Sequence, residues 1–347
     1  MRTGDVGLIA AWCLLVFAGI DTVSAGDARR PDRAEVRSRR VHLRFGGTIR
    51  DIPVGAHVRV WVPIPPSNDD QRVERRAWKL PTCATTAADL VYGNKMLFFE
   101  MAGPKSGRIA FETDYLVERR EVHALTRRET RPSLAPAARK RFLAPNRLVP
   151  TTGRPLDVLT RLLGERRLPE EPIKRARVLY DRVGHHVAYD KSRPGYGNGD
   201  ANWVCDSGYG NCTDFHSLFI AWARANGLPA KFEIGFPLPV DRGEGPIAGY
   251  HCWGYFHAEG RGWIPVDIAE ADKHPELSDY YFGNLTENRV AFSTGRDIEL
   301  VPRQASGPLN YFVYPHIEVD GRPWPSSRTD MSVHFRDVAT PGTRDSR

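Results

Sequence analysis

Three observations predict an α+β fold. The first third of the chain alternates apolar and polar residues with period two, the middle repeats apolar residues at three and four spacing, and strand-like runs return after it. The expected layout is a β-sandwich over 26–125, a linker over 126–152, a domain of helices followed by an antiparallel sheet over 153–325, and a polar, loose tail over 326–347. With 347 residues, 41% hydrophobic and 26% charged, the chain can fill two ordinary cores and does not have a disordered composition.

The first 25 residues stand apart. Arg2 precedes the apolar run GLIAAWCLLVFAGI, and the small residues VSA end at Ala25, the pattern of a cleaved leader over 1–25. The expectation is an exported protein, periplasmic or secreted. The run is short for a membrane span, so no integral span is expected after cleavage; an uncleaved anchor is the alternative. Cys13 lacks a small-residue lipobox before it, which argues against a lipoprotein.

Losing that leader removes one base, Arg2, and two acids, Asp5 and Asp21, and takes the net charge from +7 to +8. This sign suits an anionic envelope surface or polymer as a partner. Most basic residues are scattered, apart from RRETRPSLAPAARKR at 127–141. That stretch has no interleaved aromatics on which bases could stack, and export argues in the same direction, so no nucleic acid is expected. It reads as a solvated linker.

In the first part, HVRVWVPIP (57–65) and GRIAFETDYLV (107–117) read as strands, and Gly-Asn within DLVYGNKMLFFEM (89–101) signals a hairpin. Trp61, Phe98 and Phe99 are read as core. After the linker, PLDVLTRLLGERR (155–167) and EPIKRARVLYDRVGHHV (171–187) read as helices opening near a proline. A Gly-rich, aromatic loop spans 190–211. AKFEIGF (230–236), GYHCWGYFHAEG (249–260) and GWIPVDIAEA (262–271) then read as strands.

Between that loop and those strands lies GNCTDFHSLFIAW. Asn211 is a good N-cap with Asp214 three positions on, as in a capping box. Phe215, Leu218, Phe219 and Trp222 supply an apolar face, and Gly227 with Pro229 ends the helix. Cys212 therefore falls at the first helical position, at the positive end of the helix dipole, with Gly210 leaving room for a substrate to approach the backbone.

That position alone does not make a nucleophile. An ordinary thiol is only about 3% ionised at pH 7, and reversing this takes roughly 2 kcal/mol or more. A helix terminus supplies about 0.3–1 kcal/mol, and Asp214 opposes it. An imidazolium must be delivered from elsewhere. YHCWGYF and GWIPVDIA flank the turn HAEGRG as a hairpin, and His251 and Asp267 are separated by an even number of residues. A symmetric register would place them opposite one another on one face, where the carboxylate can orient the imidazole.

Other readings of these residues compete. His216 shares a face with Cys212 but reads as a hydrogen-bonded core histidine, and His185 and His186 as caps on helix carbonyls. Cys205, Cys212, His216, His251 and Cys252 could ligate zinc, yet their spacing matches no common ligand pair, so no metal and no other cofactor is expected. A structural cysteine in a capped helix is the remaining alternative.

GNCTDFHSLFIAWARANGLPAKFEIGF followed by GYHCWGYFHAEGRGWIPVDIAEA resembles the core of the transglutaminase-like superfamily over roughly 150–300. The resemblance implies a papain-like α+β fold in which Cys212 is the nucleophile, His251 the general base and acid, and Asp267 the orienting carboxylate. It implies acyl transfer at an amide bond (peptide, isopeptide or glutamine side chain) of a protein or peptide through a thioester, and an N-terminal β-sandwich as in exported bacterial members. Hydrolysis is favoured over cross-linking because water is always present; a catalytically silent module that keeps the fold is the rival. The Cys212 backbone N–H is one oxyanion donor, with Trp203 or Asn202 as candidates for the second. Because neighbouring strand residues face opposite ways, Cys252 is expected to point away from Cys212, and a Cys205–Cys252 disulfide to pin the Gly-rich loop to the hairpin. Cys83 is expected simply to pack.

Overall fold

The computed structural model describes residues 36–127 and 130–339, so the expected leader lies outside the described residues. The alternation in Ser38–Ile49 buries Val41, Leu43 and Phe45 and makes this strand the middle of a five-stranded antiparallel sheet. The order is Glu244–Pro246, Thr329–Asp337, Ser38–Ile49, Ile109–Arg120, Gln71–Lys79. A second five-stranded antiparallel sheet runs Arg322–Pro323, His316–Val319, His57–Pro63, Lys95–Ala102, Thr85–Ala88. Side chains from both, among them Phe45, Val60, Leu97 and Phe111, join one apolar core.

Both sheets borrow strands from the far end of the chain, which corrects the expected boundaries. Thr329–Asp337 pairs with Ser38–Ile49 from Val41 opposite Asp337 to Ile49 opposite Thr329, and His316–Val319 pairs with His57–Pro63. The tail is therefore not loose as far as Asp337: Val333 and Phe335 alternate into the core, a short signal hidden among polar neighbours. The segment read as a linker is not one either. It carries the helix Pro136–Leu143, whose Phe142 packs edge-on to Trp263 at 4.8 Å. From Val36 onward the chain is one compact unit.

A four-stranded antiparallel sheet holds the second part, in the order Gly262–Val266, His251–Ala258, Ala230–Pro237, Arg289–Thr294. Its outer strand is not left bare: the Gln71 side chain accepts from the Ala291 N–H at 2.8 Å and donates to the Ala291 carbonyl at 3.0 Å. The helix Cys212–Ala225 lies on this sheet, with helices Arg154–Leu163, Pro172–His186 and Ala201–Ser207 around it, and it is buried from Cys212 to Arg224. Phe215, Leu218, Phe219 and Trp222 are fully buried, each stabilising the helix position by about 1.5–3 kcal/mol relative to exposure. Arg224, buried near its C-terminus, donates to the carbonyls of Ala230 and Ala144 and to Asn146.

Two helices replace expected irregular or extended segments. Asp200 caps Ala201–Ser207 within the supposed loop, accepting from the Asn202 and Trp203 N–H groups, and Ala201, Val204 and Cys205 turn inward at helical spacing. The strand Gly262–Val266 stops short of the expected 271, and Asp267 caps the helix Ile268–Lys273. No helix among the described residues is long and apolar enough to cross a membrane.

Candidate active site

The helix start at Cys212 is fixed by its own side chains. Asn211 Oδ1 accepts from the Thr213 N–H at 2.8 Å, and Asp214 Oδ2 accepts from the Asn211 N–H at 2.9 Å, a complete capping box. Asp214 also accepts from the Gly197 N–H at 2.8 Å and the Gly199 N–H at 2.9 Å. A Cβ on Gly210 would meet the Asp214 side chain at 2.5 Å, so the glycine makes room for this carboxylate rather than for a substrate. The Cys212 N–H itself has no acceptor among the described residues.

His251 is the first residue of its strand, and its Nε2 lies 2.8 Å from Asp267 Oδ2. The hairpin register differs from the symmetric one: Ala258 faces Gly262 and Gly254 faces Val266, which sets Asp267 across from Trp253. The shift is two residues, so the face is kept and His251 meets Asp267 on the diagonal, within reach of long side chains. The carboxylate continues into two further bonds. Oδ1 accepts from the Glu270 N–H at 3.2 Å, and Oδ2 accepts from Arg289 Nη1 at 2.9 Å.

With Nε2 engaged by Asp267, Nδ1 is the His251 nitrogen left for Cys212, and the thiol and the imidazole each favour the other's charged form. Cys212 is 2% exposed, His251 6% and Asp267 0%. Burial pushes the Cys212 thiol up, but hydrogen bonds from Cys252 and His251 and the imidazolium charge outweigh it and hold the thiol well below its ordinary value. Burial also opposes charging of His251; the Asp267 carboxylate overcomes this and raises the imidazole to about 10. Asp267 is held below the usual carboxylate range against its burial by the charges of His251 and Arg289. The arrangement can keep a thiolate and an imidazolium together in a dry site.

Cys252 does not point away from Cys212. Cys252 and Gly254 face the helix, and the Cys252 sulfur lies 3.7 Å from Thr213 Oγ1 and 3.9 Å from His216 Nδ1, both in the opening turns of the helix that begins at Cys212. His251 and Cys252 do leave the strand on opposite faces. Cys212 sits at the corner where the helix begins over the strand's first residue, so both reach it. Burial and the Cys212 contact push the Cys252 thiol well up, keeping it protonated as a donor.

The expected Cys205–Cys252 bridge is absent: Cys83, Cys205, Cys212 and Cys252 are all free thiols. Cys205 lies on the helix Ala201–Ser207, its thiol pushed up to about 12 by burial. Asp214, through Gly197 and Gly199, performs the loop-pinning assigned to that bridge. Cys83 is exposed rather than packed.

Neither expected second oxyanion donor meets Cys212. Asn202 is on the exposed side of its helix, and Trp203 packs edge-on to Tyr209 at 5.3 Å. A polar group with no sequence signature stands at the site instead: the Tyr250 hydroxyl is 3.3 Å from Asn211 Nδ2 and 3.2 Å from Thr213 Oγ1, the residues flanking Cys212.

His216 is the buried, hydrogen-bonded histidine expected. Its Nδ1 donates to the Cys212 carbonyl at 2.7 Å and its Nε2 accepts from the Ile268 N–H at 3.1 Å, which fixes a neutral tautomer; burial lowers its pKa. His185 Nδ1 bonds the Asp181 carbonyl of its own helix, and His186 Nε2 the Cys205 carbonyl.

Residues 163–268 match the transglutaminase-like superfamily. An uncharacterized protein of Haemophilus influenzae is 32% identical over 184 residues, covering 44% of this chain and 50% of that relative, so the match spans about half the relative's length. Among solved structures, one from Cytophaga hutchinsonii, described as a candidate cysteine protease, superposes with a TM-score of 0.58 at 15% identity, covering 88% of this chain and 92% of that one. That likeness is one of fold. The periplasmic domain of TgpA from Pseudomonas aeruginosa gives a TM-score of 0.37 at 16% identity, covering 70% of this chain and 90% of that one.

Proposed function

We propose that this chain, whose residues 163–268 form a transglutaminase-like domain, catalyses cysteine-dependent acyl transfer at amide bonds of a protein or peptide. The reading has Cys212 as nucleophile, His251 as acid and base, and Asp267 as the carboxylate that orients and charges His251. It is carried by one observation: His251 Nε2 meets the Asp267 carboxylate at 2.8 Å, which leaves Nδ1 free, and the charge of this imidazole lowers the buried Cys212 thiol.

In the first step the thiolate attacks the amide carbonyl, forming a C–S bond and an oxyanion. The Cys212 N–H is one donor to that oxyanion, and the Tyr250 hydroxyl is our candidate for the second. Collapse breaks the C–N bond while the His251 imidazolium gives its Nδ1 proton to the departing amine. Neutral His251 then takes a proton from water as the water oxygen attacks the thioester carbonyl; collapse breaks the C–S bond, releases a carboxylic acid and restores the Cys212 thiolate beside the His251 imidazolium. An amine in place of water gives a new amide. Hydrolysis is the favoured outcome, with action in the periplasm or outside the cell, where the basic surface suits substrates held near anionic polymers.

Near-complete burial of Cys212 favours a second reading, a catalytically silent module. Iodoacetamide labelling of the full chain across pH, with the modified residue mapped by mass, separates the two. Selective labelling of Cys212 with an apparent pKa well below 8, lost in His251→Ala, supports the enzyme. An inert Cys212, or one titrating near 8.5, sinks it. Adding a primary amine and asking whether the product changes from acid to amide then decides between hydrolysis and transfer.

A further inference from the structure

We propose that Arg289 is a positioning residue for this site: it locks the Asp267 carboxylate and balances its charge, so that His251 and Cys212 ionise together near neutral pH. The inference rests on the acyl-transfer reading above.

Arg289 opens the strand Arg289–Thr294, opposite Pro237, and lies outside the 163–268 span that carries the family likeness. Its Nη1 is 2.9 Å from Asp267 Oδ2, the same oxygen that meets His251 Nε2 at 2.8 Å. The side chain is 4% exposed and the carboxylate 0%. The guanidinium lies 4.8 Å from the Trp253 ring centroid, and Trp253 is the residue across from Asp267 in the hairpin register. Among the described residues its side chain makes one hydrogen bond, to Asp267, and Nε has no partner. A buried cation paired this sparsely is a poor source of stability, because desolvation consumes most of the attraction. What it does provide is a fixed carboxylate. Oδ2 is held by two cations and Oδ1 by the Glu270 N–H, so the plane facing His251 cannot turn.

The charge balance gives the role a measurable sign. Thiolate, imidazolium, carboxylate and guanidinium sum to zero. Without the guanidinium the site carries one net negative charge, so the thiol ionises less readily and the imidazolium gives up its proton less readily; both pKa values rise. The other charged neighbours stay as they are. Glu270 Oε1 lies 3.9 Å from His251 Nε2 and is held by Lys273 at 2.7 Å, while Asp214 is tied to backbone N–H groups. His216 and Cys252 are held neutral, as are the surrounding hydroxyls of Tyr180, Tyr189, Tyr250, Tyr281 and Tyr311, all raised by burial.

The test uses iodoacetamide alkylation of Cys212 in the full chain as a function of pH, with near-UV circular dichroism to check folding. Arg289→Met should move the alkylation midpoint up by about one pH unit or more, roughly a tenfold slower reaction on the acid limb. Arg289→Lys, which keeps the charge, should restore it. Arg289→Gln keeps a donor without charge and should shift the midpoint like Met, which preserves the test if the Met variant does not fold. A folded neutral variant with the wild-type midpoint overturns the proposal, as does a Lys variant shifted as far as Met. Loss of folding in both neutral variants overturns it too, since the residue is then needed for the fold itself. A wild-type midpoint near 8.5 would instead defeat the acyl-transfer reading, whatever the variants do.

Discussion

Asp267 serves His251 and the backbone with different oxygens: Oδ2 meets His251 Nε2 at 2.8 Å, while Oδ1 accepts from the Glu270 N–H and caps the helix Ile268–Lys273. The carboxylate is thus part of the hairpin's continuation and of the imidazole's electrostatics. A substitution that preserves the cap while removing the charge can separate the two roles.

Asp267→Asn does this. Asparagine caps helices about as well as aspartate, so the cap is kept, and the stability lost, about 3–5 kcal/mol, reports the buried Arg289 guanidinium left without its carboxylate. The imidazolium, however, loses the charge that raises it to about 10. The Cys212 alkylation midpoint should rise toward an ordinary thiol value, and turnover, once a substrate is found, should drop on the order of 10³–10⁴-fold. An unchanged midpoint in a folded variant would show that Asp267 does not charge His251.

Cys252 provides a second, smaller handle on the same thiolate. Its protonated thiol is one of the groups that lower the Cys212 thiol, so Cys252→Ala should raise the Cys212 midpoint by about one pH unit or less, the worth of one hydrogen bond. Cys252→Ser retains a donor and should lie nearer wild type. If Ala and Ser behave alike in the alkylation profile, the donor role is wrong.

The nucleophile's setting was legible in the sequence because its determinants are local. Asn211, Asp214 and the apolar spacing of Phe215, Leu218, Phe219 and Trp222 specify a helix start without tertiary help, and an even separation kept His251 and Asp267 on one face despite the two-residue register shift. What stayed hidden depends on contacts far apart in sequence. Arg289 looks like any strand-edge arginine until the sheet sets it beside Asp267. Strand alternation sets Cys252 on the face opposite His251, but no residue pattern says that the helix start sits at a corner reached from both faces. The pairing of 329–337 with 38–49 was missed because a short alternation among polar residues carries little weight until a partner strand exists.

His216 gives a stability prediction. Replacing it in His216→Leu leaves the Ile268 N–H without its acceptor and takes a donor from the Cys212 carbonyl, at about 1–3 kcal/mol for the stranded amide. A drop of several degrees in Tm at pH 7 is expected. The sign with pH follows from its lowered pKa. Unfolded, the imidazole protonates near 6.5; folded, only at lower pH, so wild-type stability declines as pH falls below about 6.5. The Leu variant should lose that part of the decline, and Tm measured from pH 7.5 to 5 checks it.

Glu121 ties the first part of the chain to the second, and its ionisation should govern acid stability. Arg37 donates to it at 2.7 and 3.1 Å and the Tyr280 hydroxyl at 2.6 Å, while His123 Nε2 lies 3.2 Å away. Burial opposes its charge, but these partners win and hold its carboxyl at about 2. Unfolded, the same carboxyl binds a proton near 4.5, so its contribution is complete above that pH and is lost as pH falls toward 2. Because Arg37 is largely solvent-exposed, the contribution is discounted to about 1–2 kcal/mol. Glu121→Gln should therefore lower Tm by a few degrees at pH 7 and narrow its gap to wild type as pH drops from about 4.5 toward 2. A gap that stays constant across this range would mean that packing between Tyr280 and its neighbours, rather than the carboxylate charge, joins the two parts.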